Sequence, residues 1–405
     1  MQEFTFIPAM RPLLSLSSYR ALPSPLRGLL LLCLMLDSTS LVYFSLSSSF
    51  MMKEQGPTAL MLYTGACFFI TAFGYWAGLV RLRRADQAGG SVLREGILVM
   101  ALSLALAGLF PSILMASPVL ALGAFGLGLA WSERQWREFH DSTNDNRDSY
   151  LALLQMAVTT IGVLAPVVVA GLLAWKASRP MTVLLMVGAA LFGATLTVRP
   201  RLAAHPCQPF RAWPPKLPSG FWKQGTYFVF DGMGEILRSA IFVAGVVTVL
   251  RNLAPYNLAT AVTSLFTALA LAWIAKHQSA QNRLHRLALA LGLSALAWVT
   301  LAVALGHSAA FPVFLVLYSF SIPLLQATKH SLIIKGLSQP GQSLEESTMT
   351  REWLLMLVRV PAMAMAAFVT YLSRSPLQSV TILCVLLVAM APLEFWSARA
   401  VHREP

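Results

Sequence analysis

The chain has 405 residues, of which 57% are hydrophobic and 12% are charged. Soluble globular domains carry about 25% charged residues, so this composition excludes an ordinary soluble protein and indicates a chain that lies mainly in a membrane. The net charge of +13 does not indicate nucleic acid, because the basic residues are concentrated in alternate loops between apolar stretches, which is a signal of membrane topology.

Apolar stretches long enough to cross a bilayer recur along the whole chain. A spanning helix needs about 20 such residues, and we count about twelve stretches of this kind. The predicted spans are residues 28–50, 57–80, 94–114, 117–132, 150–172, 178–198, 222–250, 254–275, 287–306, 310–334, 351–373 and 377–397. The sequence therefore predicts an all-α, polytopic membrane protein.

The loops on the two sides of the predicted membrane differ in charge. Those after the second, sixth and eighth spans hold most of the basic residues, so the positive-inside rule places them in the cytoplasm. Both termini follow to that side: residues 1–27 are predicted as a cytoplasmic extension, 199–221 as a central linker and 398–405 as a tail. The sequence contains no Asn-x-Ser/Thr acceptor, which favours a bacterial inner membrane.

The proline-rich linker divides the spans into six and six, and the two halves repeat one another. Asp37 in the first span corresponds to Asp231 in the seventh, 194 positions later. Arg147-Asp148 opens the fifth span and Arg351-Glu352 opens the eleventh, with Gln155 and Arg359 at matching places further on. Ordered matches at nearly constant spacing predict two pseudo-symmetric six-helix bundles, residues 28–198 and 222–397.

This duplicated arrangement resembles the major facilitator superfamily over residues 28 to 397. In that family the loop between the second and third spans carries a Gly-Asp-basic motif, and the corresponding segment here runs from Gly78 to Ala85. It keeps the basic residues but has Leu82 where the family has Asp. The segment from Gly162 to Pro166, followed by Gly171, is similar to a Gly-Pro motif of exporters. The resemblance implies transport by alternating access.

Ionisable residues inside the predicted spans are the candidate functional residues. Asp231, Glu235 and Arg238 have the spacing of one helix face, and each charge at this depth costs about 2.5 kcal/mol on insertion scales. Such groups usually face a protein interior or a water-filled cavity. We predict that these three residues, with Asp37, Gln155 and Arg359, couple transport to protons or bind substrate.

Each of these residues also has a purely structural interpretation. Asp37 could bond to Ser38 or Ser40, and Glu235 could pair with Arg238 on the same helix. Arg359, whose guanidinium suits carboxylate or phosphate, could instead bind Asp37, Asp231 or Glu235 across the cavity. The sequence leaves these alternatives open.

Two further sets of charges lie near the cytoplasmic helix ends. Arg147, Asp148, Arg351 and Glu352 are predicted to cap helices or to form a cytoplasmic gate. The mixed charges between Ser132 and Ser149 are predicted to be a solvated surface segment without a metal site.

The sequence favours a secondary transporter of a small polar or anionic solute, coupled to protons. A flippase for lipids or lipid-linked precursors and a non-transporting sensor or assembly factor remain alternatives. An intramembrane enzyme built on Asp37 and Asp231 is disfavoured, and no phosphate-binding loop or other cofactor motif is present. The expected partners are a small-molecule or lipid-like substrate, protons and membrane lipids, with no nucleic acid and a monomeric chain.

Overall fold

A computed structural model gives the arrangement of the chain. The residues it describes are 19–20, 22–84, 91–140, 144–176, 179–198, 221–277, 283–337 and 344–402. Most of the predicted N-terminal extension, the central linker and the last residues of the tail lie outside this part of the chain.

The described chain is built from eleven α-helices and one short 3-10 turn, Ser308–Ala310. The helices are α1 (Ser24–Arg84), α2 (Ser91–Ala107), α3 (Ile113–His140), α4 (Asn144–Trp175), α5 (Met181–Thr197), α6 (Phe221–Leu250), α7 (Leu253–His277), α8 (Arg283–Ala304), α9 (Phe311–Leu337), α10 (Leu344–Leu372) and α11 (Pro376–His402). No strand occurs among these residues, and the all-α prediction is confirmed.

The long helix α1 contains two predicted spans. It is broken at Gly56, which has φ 84° and ψ −176° and is followed by Pro57. A positive φ is accessible to glycine at little cost, and proline cannot continue the hydrogen-bond ladder of the preceding turn. We call the segments before and after the break α1a and α1b, so each half of the chain contributes six helical segments.

Nine helices of the described chain, counting α1 once, are long and apolar enough to cross a membrane. The apolar helices α2 and α5 are shorter, at 17 residues each. Large apolar side chains such as Leu62, Phe73 and Phe368 are more than half exposed, which is the expected surface of a protein solvated by lipid. The chain is therefore a multi-pass integral membrane protein.

Glycines allow α3 to pack closely against its neighbours in the N-terminal half. A Cβ at Gly74 of α1b would meet the backbone carbonyl of Phe125, and one at Gly128 would meet Thr71 and Tyr75. Gly96 of α2 and Gly126 of α3 face one another in the same way. Small residues at these positions let backbones approach, which is how membrane helices gain packing energy without a hydrophobic driving force.

The two halves contact each other through several pairs of helices. On the α1b–α10 contact, Gly65 lies against Met363, and Tyr75 shares an apolar cluster with Met356. Gly162 of α4 approaches Ser264 of α7. The Ser45 hydroxyl of α1a donates to Asn257 Oδ1 of α7 at 3.2 Å. These contacts lie along the plane between the halves, where a carrier of this architecture would hold its substrate.

One prediction about the end of a helix is wrong. The short span predicted at 117–132 is part of α3, which continues to His140. Residues 132–137 are therefore not a solvated surface segment: Glu133, Arg134 and Arg137 are buried, because their charges are paired inside the bundle. At the other end of the chain, α11 continues to His402, and Ser397 and Ala398 pack in the interior.

The close α1b–α3 contact yields a test. Replacing Gly74 with Ala should destabilise the protein by about 1–3 kcal/mol, the usual cost of overpacking, because the new Cβ would collide with a backbone carbonyl. Gly171→Ala is the matched control, since nothing described lies within 4 Å of a Cβ there. Unfolding in mixed micelles titrated with sodium dodecyl sulfate measures both variants, and equal stability would contradict the packing described.

Candidate functional site

The interior of the C-terminal half holds a network of ionised side chains. Arg238 of α6 donates two hydrogen bonds to Glu394 of α11, at 3.0 and 2.8 Å. Lys329 of α9 lies 2.9 Å from the same carboxylate. The Glu394 side chain is only 1% exposed. Buried carboxylates are tolerated when cations and hydrogen bonds satisfy them, and this one is bound by two cations.

Asp231 of α6 extends the network towards the start of α10. Its carboxylate accepts from Lys329 Nζ at 2.7 Å and lies 3.5 Å from an Arg351 nitrogen. Arg351 in turn contacts Glu352 at 2.6 Å. We call Asp231, Arg238, Lys329, Arg351, Glu352 and Glu394 the C-half cluster. It joins α6, α9, α10 and α11, and its three acids balance its three bases.

Glu235 and Arg359 form a separate ion pair beside this cluster. Arg359 Nη2 is 2.6 Å from Glu235 Oε2, and the Glu235 side chain is 53% exposed while that of Arg359 is 14% exposed. The Arg359 guanidinium also lies over the ring of Phe68, 4.9 Å from its centroid. Because Phe68 belongs to α1b and Glu235 to α6, Arg359 connects the two halves of the molecule.

The N-terminal half has its own charged group around Asp37. Arg134 of α3 binds Asp37 at 2.5 Å and Glu138 at 3.0 Å. The Tyr150 hydroxyl of α4 donates to Glu138 at 3.5 Å and to the Cys33 sulfur at 3.4 Å. The Asp37 and Arg134 side chains are 17% and 10% exposed. Asp37 is therefore more accessible than its counterpart Asp231, whose side chain is 6% exposed.

One ion pair is repeated in the two halves. Asp37 binds Arg134 from the fourth segment of its half, and Asp231 binds Lys329 from the fourth segment of the other half. The acids are 194 positions apart and the bases 195. The internal repeat predicted from the acids thus includes their cations, so the two halves share an ion pair at matching positions.

A further acid–base pair occupies the region of the altered family motif. Leu82 is buried against Val92 and Leu129. Glu133 of α3 accepts from the backbone N–H of Leu93 at 2.6 Å and contacts Arg137 at 2.6 Å. A carboxylate at the beginning of α2 satisfies a free N–H group and interacts favourably with the helix dipole.

The structure separates the predicted site residues into groups. Asp231 and Arg238 belong to the C-half cluster, and Glu235 pairs with Arg359, one of the alternatives left open by the sequence. Glu235 does not pair with Arg238, because Glu394 binds that guanidinium. The hydroxyls of Ser38 and Ser40 bond to backbone carbonyls, not to the Asp37 carboxylate.

The remaining predictions concern an aspartate dyad, the cytoplasmic gate and a metal site. Asp37 and Asp231 each bind a cation of their own half, which is not the shared-proton dyad of an aspartic protease. Arg351 and Glu352 lie together at the start of α10. The side chains of Gln155, Arg147 and Asp148 lie outside the described part of the chain. Among described residues, no group of three or more His, Cys, Asp or Glu side chains could hold a metal ion.

Sequence reasoning missed Glu394, Lys329 and Arg134 as site residues. Each was visible as a charge inside or beside an apolar stretch, the same signal that identified Asp37. Lys329 and Arg134 could have been found by applying the 194-residue repeat to bases as well as acids. No repeat in the sequence indicates Glu394, and its role depends on how α11 is placed against α6.

The fold is that of the major facilitator superfamily. A nucleoside transporter, NupG, superimposes with a TM-score of 0.67 at 11% identity, covering 95% of this chain and 100% of that one. A bacterial homologue of the human lysosomal transporter Spinster, inward-facing and occupied, gives 0.64 at 14% identity, with 93% and 96% covered. A peptide transporter, POT, gives 0.64 at 16% identity, with 96% and 98% covered. No family model and no curated protein matches the chain in sequence. The likeness confirms the predicted fold.

The buried network predicts that a Glu→Gln substitution reduces stability far more at a buried position than at an exposed one. Glu394→Gln should destabilise the protein by about 3–5 kcal/mol, since removing one partner leaves buried cations uncompensated. Glu95→Gln is the matched control: Glu95 pairs with Arg81 on the surface, where its side chain is 39% exposed, and such pairs contribute about 0–1 kcal/mol. Unfolding by sodium dodecyl sulfate in mixed micelles compares them, and similar losses would refute a special role for Glu394.

Proposed function

We propose that the protein is a proton-coupled secondary transporter of a small polar solute and works by alternating access. The observation that carries this proposal is the repeated ion pair, Asp37–Arg134 and Asp231–Lys329, placed at membrane depth in both halves of a major facilitator fold. Ionised groups in such positions usually mark a transport or proton pathway. Transporters for nucleosides and peptides share the fold.

Asp37 is the better proton acceptor of the two repeated acids. It is partly exposed, and its partner Arg134 has a second carboxylate, Glu138, at 3.0 Å. Protonation of Asp37 would therefore leave Arg134 paired. The described groups around this position are Arg134, Glu138, Tyr150 and Cys33, and Arg134 is the only cation among these four. A proton on Asp37 would break its ion pair with Arg134 at little electrostatic cost.

Asp231 is less suited to carry the proton. Its side chain is 6% exposed and lies between Lys329 and Arg351. Neutralising it would leave the C-half cluster with an excess of positive charge in the protein interior, which is costly. We assign the C-half cluster to holding α6, α9 and α11 together as one body while the halves rock against each other.

The position of the basic loops supports an inner-membrane protein with both termini in the cytoplasm. In that orientation Arg351 and Glu352 lie near the cytoplasmic ends of the helices. With Arg147 and Asp148, their sequence counterparts in the other half, they form a candidate cytoplasmic gate. A pathway between the two halves of one chain needs no second subunit, so we propose that the protein works as a monomer.

Asp37→Asn tests the coupling. The variant should lose solute-dependent proton entry, because the amide cannot take up a proton, while Arg134 stays paired with Glu138 and the fold is kept. Wild-type and variant protein are reconstituted into liposomes containing a pH-sensitive dye, and a panel of nucleosides, amino acids, peptides and organic anions is added. Internal acidification with at least one compound is expected from the wild type alone.

Glu95→Gln provides the control, since this exposed carboxylate lies away from the proposed pathway. It should acidify the vesicles as the wild type does. Persistent acidification with Asp37→Asn would refute the coupling role of Asp37. A wild-type protein that responds to no soluble compound but is stabilised by particular lipids would favour the flippase instead.

A further inference from the structure

The ion pair Glu235–Arg359 differs from the other charges of the C-terminal half in its exposure. The acids of the C-half cluster are at most 15% exposed, whereas Glu235 is 53% exposed. On the same face of α6, Phe228 and Asp231 are buried towards one end, and Phe242 is buried towards the other. The exposed part of this face is therefore a small polar patch, formed by Glu235 and Ser239.

Arg359 faces the interior from α10. The lipid-exposed side of this helix carries Leu357, Met365 and Phe368, and Arg359 lies on the opposite side with the buried residues Met356 and Met363. The charge of Arg359 therefore lies towards the protein interior and the plane between the halves, not towards lipid.

The Arg359 guanidinium has unused binding capacity. Within the described part of the chain it makes one hydrogen bond, to Glu235, and its buried Nε has no partner. One face lies over Phe68, which is stacked on Phe44 of α1a with centroids 6.2 Å apart and planes at 10°. A guanidinium held against an aromatic ring loses none of its N–H donors to that contact, so the remaining donors are available to a carboxylate.

From this arrangement we propose that Glu235 and Arg359 bind a zwitterionic solute, with its anionic group on Arg359 and its ammonium group on Glu235. This inference rests on the proposed transport function and specifies the substrate class. The acids and bases of the C-half cluster and of this pair are equal in number. A zwitterion adds one charge of each sign and leaves that balance unchanged.

Singly charged solutes fit this pair less well. An anion on the remaining N–H groups of Arg359 would put a second negative charge beside Glu235 without adding a positive one. A cation on Glu235 would compete with Arg359 for its carboxylate, and the nearby acids Asp231 and Glu352 are already paired with Lys329 and Arg351. Weakening the pairing of a largely buried charge offsets the free energy that one hydrogen bond to a ligand contributes.

The test is a set of related probes in which the ammonium group, the charge of the carboxylate, or both are removed from one carbon skeleton. Leucine, leucine amide, isocaproate and isocaproamide are titrated onto the purified protein in detergent at neutral pH, and matching sets built on ω-amino acids and dipeptides vary the distance between the charges. In at least one set, the zwitterion should bind about tenfold or more tightly than both singly charged counterparts. Equal binding of the anion, or no binding of any zwitterion, would overturn the proposal.

Two variants test which residue binds the ammonium group and which binds the anionic group. Glu235→Gln should abolish the preference for the zwitterion over the anion, because the ammonium loses its partner. Arg359→Gln should abolish the preference for the zwitterion over the cation. A zwitterion preference that survives both substitutions would place the site elsewhere, and Glu95→Gln controls for unspecific effects.

Binding is measured without a membrane or a gradient, so this test is separate from that of the transport function. A protein that imports anions with protons would retain the proposed function and exclude the zwitterion site. A protein that binds zwitterions but moves no solute would retain the site and exclude transport.

Discussion

The dominant constraint on this fold is that an ionised group placed at membrane depth must find a partner within the protein. Water is not present in the hydrocarbon region to compensate it, and each uncompensated charge or polar group costs several kcal/mol. Ion pairs at this depth link different helices: α1a to α3, α6 to α9 and α11, and α6 to α10. Charge pairing therefore determines which helices lie side by side, while apolar contacts and small residues determine how closely they pack.

Ion pairs connect the helices of the two halves in different ways. In the C-terminal half, α6, α9, α10 and α11 share one interconnected network, in which each carboxylate contacts at least one cation and Lys329 bridges two acids. In the described part of the N-terminal half, two carboxylates of α1a contact α3 separately: Asp37 binds Arg134, and Glu54 accepts from the Ile113 backbone N–H at 3.1 Å. Under the proposed function, this difference lets a proton act on the contact between Asp37 and Arg134 without loosening the C-half cluster.

The fold could be predicted from the sequence because its signals are local. Length, hydropathy and the break at Gly56-Pro57 lie within one stretch of chain, and the repeat of Asp37 at Asp231 marks the two halves. The site was only partly predictable, since pairing depends on distances between helices. Arg238 has a carboxylate three residues away on its own helix, yet it binds Glu394, 156 positions later in the chain. The buried charges of Glu133 and Arg137 were missed because a dense mixture of charges is typical of a surface, and only the extension of α3 beyond the predicted span places them inside.

Gly234 lies between the residues that hold the C-half cluster together. A Cβ at this position would meet Glu394 Oε1, and would lie 2.8 Å from an Arg238 nitrogen. The Arg238–Glu394 pair thus occupies the space that a side chain at position 234 would need. Substitutions at Gly234, Arg238 and Glu394 should therefore depend on one another. Where smaller apolar residues replace the ion pair, position 234 can carry a side chain. Where position 234 carries a side chain first, the ion pair can no longer form as it does here. In an alignment of homologues, these three positions should covary as a triplet, even though the third is far from the other two along the chain.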